Sequence, residues 1–269
     1  MEVIKNKLTD EILEEIKTNG FVKLKVAEKD FVDELFSFFK SKELSAVNSG
    51  FYSTIMHPDI QHKIDVNTFL LNHLQQIADQ FIPGYKGLFA NYLVKSPGSN
   101  RPVGLHQDWT YTDETKFHSF NIWMPLVKTG KENGGLVVVP KSHNLPFSYR
   151  YTPFDENLYA IDIPLLEQHS FQINTEIGDA VIYDSRLLHY SKGNPSNEYR
   201  VVIAGIFLPN EAPALHFYKE GSFLEVYKTN LEFYCRLEPG VKPLYNSIQK
   251  IPFIGEPDSN TIIKYLTRS

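Results

Sequence analysis

Between Gly87 and Pro209 the chain is a succession of short β-type runs: GLFANYLVK, SFNIWMPLV, GGLVVVP, FQINTEIGDAVIYD and RVVIAGIFLP. The breaks between them are turn formers, among them Gly134-Gly135, Gly178-Asp179 and Gly193-Asn194-Pro195. Several short runs of strong β formers punctuated in this way predict an antiparallel sandwich or barrel. Upstream the period changes. Leu8, Ile12, Leu13 and Ile16 make one helical stripe, with Thr9 as the expected N-cap, Asp10 and Glu11 in the first turn and Gly20 as the stop. FVKLKV then alternates Val22, Leu24 and Val26 with two lysines, as a half-buried strand does. Two further helices are expected, around Asp30 to Lys40 with Phe31, Leu35 and Phe38 on a face, and around Val66 to Phe81 with Leu70, Leu74 and Ile77. They should pack outside the sheet. Beyond about Glu220 the pattern is ambiguous, and a helix with loops covering one mouth of the barrel is the expectation.

Charge and cysteine content narrow the classes of partner. A net charge of −5 gives no global positive field to draw the protein onto nucleic acid or an acidic membrane, so neither is expected as a partner. Cys235 is the only cysteine, which excludes an intramolecular disulfide and a cysteine-based metal cluster and fits a reducing compartment. The first residues carry acids throughout, with no apolar run of signal-peptide length, and no apolar stretch reaches a membrane span. The expected location is the cytoplasm. The sequence leaves the oligomeric state open.

Any metal must therefore be held by histidine and carboxylate. In GLHQDWTYTD, His106 and Asp108 are two residues apart, so on a strand they point the same way while Gln107 points opposite. Of the nine histidines, His189 in DSRLLHYS is the choice for a third ligand, because it closes a β-type run and Arg200 heads the next one. Two histidines and one carboxylate form the facial triad of non-haem Fe(II) oxygenases, with open positions for a 2-oxo acid and dioxygen. Arg200, always charged and fork-shaped, suits the far carboxylate of 2-oxoglutarate.

The ordered set NGFVKL, HQDW, NIWMPL about 15 residues on, NGGLVVVPKSH, GDAVIYDSRLLHYS and an arginine eleven residues after the last histidine resembles the phytanoyl-CoA dioxygenase family over roughly residues 8–210. The resemblance implies a mainly β protein with flanking helices, a double-stranded β-helix (jelly-roll, cupin-like fold). It implies one dioxygenase domain spanning residues 1–269: a helical part to about residue 85, a jelly-roll core over about 86–210 and a C-terminal cover over about 211–269. It implies Fe(II), 2-oxoglutarate and O2 as cofactor and co-substrates, His106, Asp108 and His189 as iron ligands, and Arg200 as the anchor. Ser191 and Trp123 match positions beside 2-oxoglutarate, and Asn91 and Tyr92 precede the HQD turn within reach of it. The reaction implied is hydroxylation of an unactivated C–H bond of a small molecule or carrier-tethered intermediate, or desaturation or cyclisation by the same chemistry. Halogenases of related fold lack the carboxylate that Asp108 supplies.

There are departures from the pattern. PGSH reads Pro140-Lys141-Ser142-His143, which loses a turn glycine. The superfamily's hydroxyl two residues past the arginine is Val202 here, with Ser191 or Tyr92 as the substitute. Trp109, Tyr111 and Phe117, just beyond two ligands, are candidates for the substrate wall. Glu114 reads as an inert loop acid, His118 as a loop residue and His143 as fixing its own turn. The rival reading, a non-catalytic jelly roll that binds a ligand, predicts loss of a ligand or of Arg200, and all four are present.

Overall fold

Helix α1 (Thr9–Asn19) has acids in its first turn and Lys17 in its last, and it buries Ile12 and Ile16. The computed structural model describes residues 9–48, 50–146, 148–153, 167–237, 241–255 and 259–267, so Leu8 of the expected stripe lies outside the described residues. Thr9, expected as the cap, is already helical. Gly20 ends the helix with φ +90°, and a Cβ there would meet Leu187 Cδ1 at 2.5 Å. Glycine thus permits both the turn and the close packing.

Strand β1 (Phe21–Lys25) keeps the expected alternation. Helix α2 (Lys29–Lys42) buries Phe31, Val32, Leu35 and Phe39, whereas Phe38, expected on that face, is half-buried and stacks on Phe69 at 3.7 Å. A short strand β2 (Phe51–Ser53) follows. Helix α3 (Ile60–Phe81) opens at Ile60 and not near Val66, because Asp59 Oδ1 accepts the backbone N–H groups of Gln61 and His62 and caps it.

The remaining core strands are β3 (Tyr85–Lys95), β4 (Val103–His106), β5 (Phe120–Pro125), β6 (Val137–Val138), β7 (Phe171–Gln172), β8 (Asp179–Asp184), β9 (His189–Ser191) and β10 (Arg200–Pro209). Six strands form an antiparallel sheet in the order β1-β8-β5-β10-β3-β2, and four form a second in the order β4-β9-β6-β7. Together they make the jelly roll. Strands β5, β8 and β10 are buried throughout. Both faces of the large sheet are covered, which is why these runs read as continuously apolar and not as alternating. On one face Tyr92, Val94, Ile122, Val201 and Ile203 pack under α2 and α3; on the other Trp123, Val181 and Val202 meet Leu136 and Val138 of the small-sheet side.

The C-terminal part departs from the expected helix and loops. Strands β11 (Leu215–Glu220), β12 (Phe223–Lys228) and β13 (Gln249–Pro252) form a third antiparallel sheet, with helices α4 (Leu231–Arg236) and α5 (Ser259–Leu266). The β11–β12 hairpin turns at Gly221, with φ +62°, and alternates Leu215 and Phe217 against Leu224 and Val226 in its own cluster. Residues 238–240 of EPGVKPLYN lie outside the described residues. No helix among the described residues is long and apolar enough to cross a membrane.

Candidate metal centre

His106 ends β4 and His189 opens β9, and the antiparallel register sets them directly opposite each other with ring centroids 4.1 Å apart. His189 was expected to close a run; it starts one. Asp108 lies two residues past the end of β4, its backbone N–H donating to Ser185 O at 3.0 Å, while Gln107 is tied to the Arg186 carbonyl. His106, Asp108 and His189 each offer one ligand atom within 4.8 Å of the others.

The imidazoles are oriented for coordination. Nδ1 of His106 lies 2.8 Å from Gly104 O, and Nδ1 of His189 lies 2.9 Å from Leu187 O. A proton on each Nδ1 leaves Nε2 as a lone pair, the form a metal needs. Burial, reinforced by His106, holds the pKa of His189 down to about 4, so it is neutral at physiological pH. The donor set fits a divalent ion of the first transition row.

Arg200 begins β10, buried and opposite Lys95 of β3. Its Nη1 donates to Leu93 O at 3.3 Å, and its buried Nε has no partner. No carboxylate among the described residues pairs with it: Asp184 is taken by Arg186 at 2.7 Å and by His118, and Glu198 is exposed. Burial pushes the Arg200 pKa down to about 9, which leaves it a cation at neutral pH. A buried guanidinium with no carboxylate partner among the described residues, on the same cavity as three candidate ligand side chains, is a costly arrangement unless an anion completes it.

A family model described as phytanoyl-CoA dioxygenase (PhyH) matches residues 4–202, well over half of the chain. The chain belongs to the phytanoyl-CoA dioxygenase family. No significant match is found among curated proteins. Solved structures align over most of this family member. The non-haem α-ketoglutarate-dependent carbocyclase SnoK of nogalamycin biosynthesis shares 17% identity at TM-score 0.62, over 92% of this chain and 97% of its own. The epimerase SnoN in complex with Fe3+, α-ketoglutarate and nogalamycin RO gives 16% and 0.61, over 92% and 96%. HygX from Streptomyces hygroscopicus, with nickel, 2-oxoglutarate and hygromycin B, gives 16% and 0.57, over 76% and 88%. At these identities the likeness is one of fold.

In this phytanoyl-CoA dioxygenase family member, Ser191, Trp123 and Asn91 line an inner cavity of ≈ 190 Å³ with the triad and Arg200. Tyr92 does not. Side chains alternate along β3, so Asn91 and Leu93 face the cavity while Tyr92 turns into the helix-covered core, packing on Phe39 at 5.3 Å with its hydroxyl on Leu35 O at 2.8 Å. Tyr92 therefore cannot replace the hydroxyl missing at Val202. Trp109 lines an adjoining outer cleft and Tyr111 lines both spaces; Phe117 lines neither and packs with the Phe89 and Tyr234 cluster. His143 reaches beyond its own turn, with Nε2 2.9 Å from Lys17 O of α1. Lys141 keeps the left-handed backbone of the lost glycine, at φ +67°.

Four further features escape sequence reasoning. Asn121 donates from Nδ2 to Asp108 Oδ2 at 3.2 Å, while its buried Oδ1 has no partner. It lies two residues before Trp123 on β5, so the same alternation could have found it. Burial and Asp108 keep the Tyr183 phenol protonated, and it lies 3.3 Å from His189 Nε2. Arg150 donates from Nε to the Asp108 carbonyl at 2.8 Å and holds Glu114 through both terminal nitrogens, so Glu114 is a buried ion-pair partner and not an inert loop acid. Lys95, fully buried, donates to the carbonyls of Ser191 and Lys192.

Proposed function

We propose that this protein is an Fe(II)- and 2-oxoglutarate-dependent dioxygenase that hydroxylates an unactivated C–H bond of a small molecule or carrier-tethered intermediate. The observation that carries the reading is the shared inner cavity of His106, Asp108 and His189 with the unpaired buried Arg200. Iron held there would supply the chemistry in which dioxygen, 2-oxoglutarate and the substrate become succinate, CO2 and the hydroxylated substrate. His106 and His189 contribute Nε2 donors whose rings are oriented by backbone carbonyls at Nδ1. Asp108 contributes a charge whose direction is fixed by Asn121 and Arg150. Arg200 binds the far carboxylate of the co-substrate, while Trp123, Leu93 and Ala204 give the cavity a water-poor wall.

Succinate release with Fe(II), 2-oxoglutarate and air tests the reading. His106→Ala and His189→Ala should abolish it. Arg200→Ala should leave iron binding unchanged and raise the 2-oxoglutarate requirement by roughly 30-fold or more, since truncating one member of a buried charge pair costs about 2–5 kcal/mol. An unaltered KM for 2-oxoglutarate would remove Arg200 from the site. Product analysis separates hydroxylation, which adds an oxygen atom, from desaturation or ring closure, which removes two hydrogens.

A further inference from the structure

The inner cavity opens beside a larger cleft of ≈ 730 Å³, lined by His106 and Asp108 on one side and by Phe51, Met56, Phe89, Trp109 and Tyr111 around the rest. That volume holds a molecule of drug size. Its chemistry is one-sided. Among the described residues that line it there is no lysine or arginine, and the one carboxylate is Asp108. Arg101 packs its stem over Gly50, next to Phe51, but it is exposed and outside the lining. The loaded centre adds no attraction for an anion, because a divalent metal and Arg200 balance Asp108 and a dicarboxylate. Taking a carboxylate or phosphate out of water into such a cleft would leave its charge uncompensated.

Two features give the cleft selectivity. Its walls are aromatic: Phe89 and Tyr111 sit at 5.6 Å between ring centroids, both braced from behind by Tyr234 of α4, and Trp109 continues the surface. Flat rings are the shape that fits such walls. The second feature is Asn91, at the junction of cavity and cleft, whose Oδ1 accepts from Ser53 Oγ at 2.8 Å. That bond occupies the oxygen, and among the described residues no acceptor takes the NH2, which is left to donate to a bound molecule. At the rim Met56 is 63% exposed, an apolar surface available to a bound apolar molecule.

We infer that the cleft takes an uncharged, ring-bearing apolar substrate that offers one hydrogen-bond acceptor to Asn91, and that it discriminates against free carboxylates and coenzyme A thioesters. This rests on the reading of the inner cavity as the oxidising centre. The matched probes are 2-acetonaphthone and 2-naphthoate, which differ in a neutral carbonyl against a carboxylate, with decanoyl-coenzyme A as the third. Calorimetric titration of the wild-type protein gives affinities, and emission from a Trp123→Phe variant, in which Trp109 is the sole indole, gives the location. The expected result is saturable binding of 2-acetonaphthone with a change in Trp109 emission, at least tenfold weaker binding of 2-naphthoate and no response to decanoyl-coenzyme A. Asn91→Leu should weaken 2-acetonaphthone about tenfold, and Met56→Lys, which supplies a rim cation, should strengthen 2-naphthoate. Binding of 2-naphthoate or decanoyl-coenzyme A as tight as that of 2-acetonaphthone, or no saturable binding of the neutral probe, overturns the inference. The titrations are run anaerobically with Fe(II) and 2-oxoglutarate at saturation, so that Arg200 is already paired. They read binding and not turnover, so their failure leaves the oxidising centre to be judged by succinate release, and a loss of succinate release is read apart from them.

Discussion

Arg150 reaches the loop after β4 from 42 residues away and fixes it at the Asp108 carbonyl, while Glu114 takes both of its terminal nitrogens. Both side chains are almost wholly buried. Glu114→Gln keeps the shape but removes the carboxylate that holds both terminal nitrogens of a buried guanidinium, and breaking a buried pair costs up to about 3–5 kcal/mol. The expected outcome is a markedly lower urea midpoint together with weaker iron binding, because Asp108 loses part of its support; a midpoint and iron affinity equal to wild type would refute the coupling. The sequence made Glu114 look silent because nothing within a few residues of it announces Arg150. That His106, Asp108, His189 and Arg200 would meet around one cavity was readable for the opposite reason, since each sits in a local motif with fixed spacing. Asn91 and Tyr92 were offered together, although alternation on a single strand sends neighbouring side chains to opposite faces. Lys141 shows a third case: the sequence reveals the missing glycine, and only the backbone shows that its left-handed turn persists under a lysine.

Strands β3 and β9 belong to different sheets, and Lys95 joins them by donating across to the carbonyls of Ser191 and Lys192. Burial, with Arg200 alongside, draws its pKa from 10.5 down to about 7. Below pH 7 the lysine is charged in folded and unfolded chains alike, and the folded state bears the full cost of burying that charge. Between pH 7 and 10.5 the unfolded chain holds a proton that the folded chain has released, so stability gains with rising pH. Without 2-oxoglutarate, Lys95→Met should flatten this rise in a denaturant series across that window; an identical slope in both proteins would place the titration elsewhere. The core strands were legible as runs of β formers. The start of α3 was misplaced because its first turn is polar and the Asp59 cap carried the signal. The β11–β12 hairpin was missed: Gly221-Ser222 separates its two strands, but the run of aromatic residues and prolines beyond it obscured the period and a helix with loops was expected instead.

The triad and the anchor come from three stretches, around residues 106–108, 189 and 200, which meet only when both sheets are formed. Metal and co-substrate should therefore bind the folded chain alone and stabilise it by mass action, about 2.7 kcal/mol at a hundredfold excess over Kd. For a chain of this size that is a rise in Tm of roughly 5–10 °C. Thermal scans with Fe(II) under anaerobic conditions, then with 2-oxoglutarate added, should show two increments in the wild type, only the first in Arg200→Ala and neither in His189→Ala. A 2-oxoglutarate increment of wild-type size in His189→Ala would separate the anchor from the metal. The edge position of β1 has a consequence for synthesis. Phe21 pairs with Tyr183, so the strand that leaves the ribosome early waits for a partner made near the end of the jelly roll. At about 5–20 residues per second that delay is roughly 8–30 s, during which Val22 and Leu24 have no strand to cover them. The nascent chain thus completes its large sheet only once β8 and β10 have been translated, and shielding β1 until then is a task for whatever meets it at the exit tunnel.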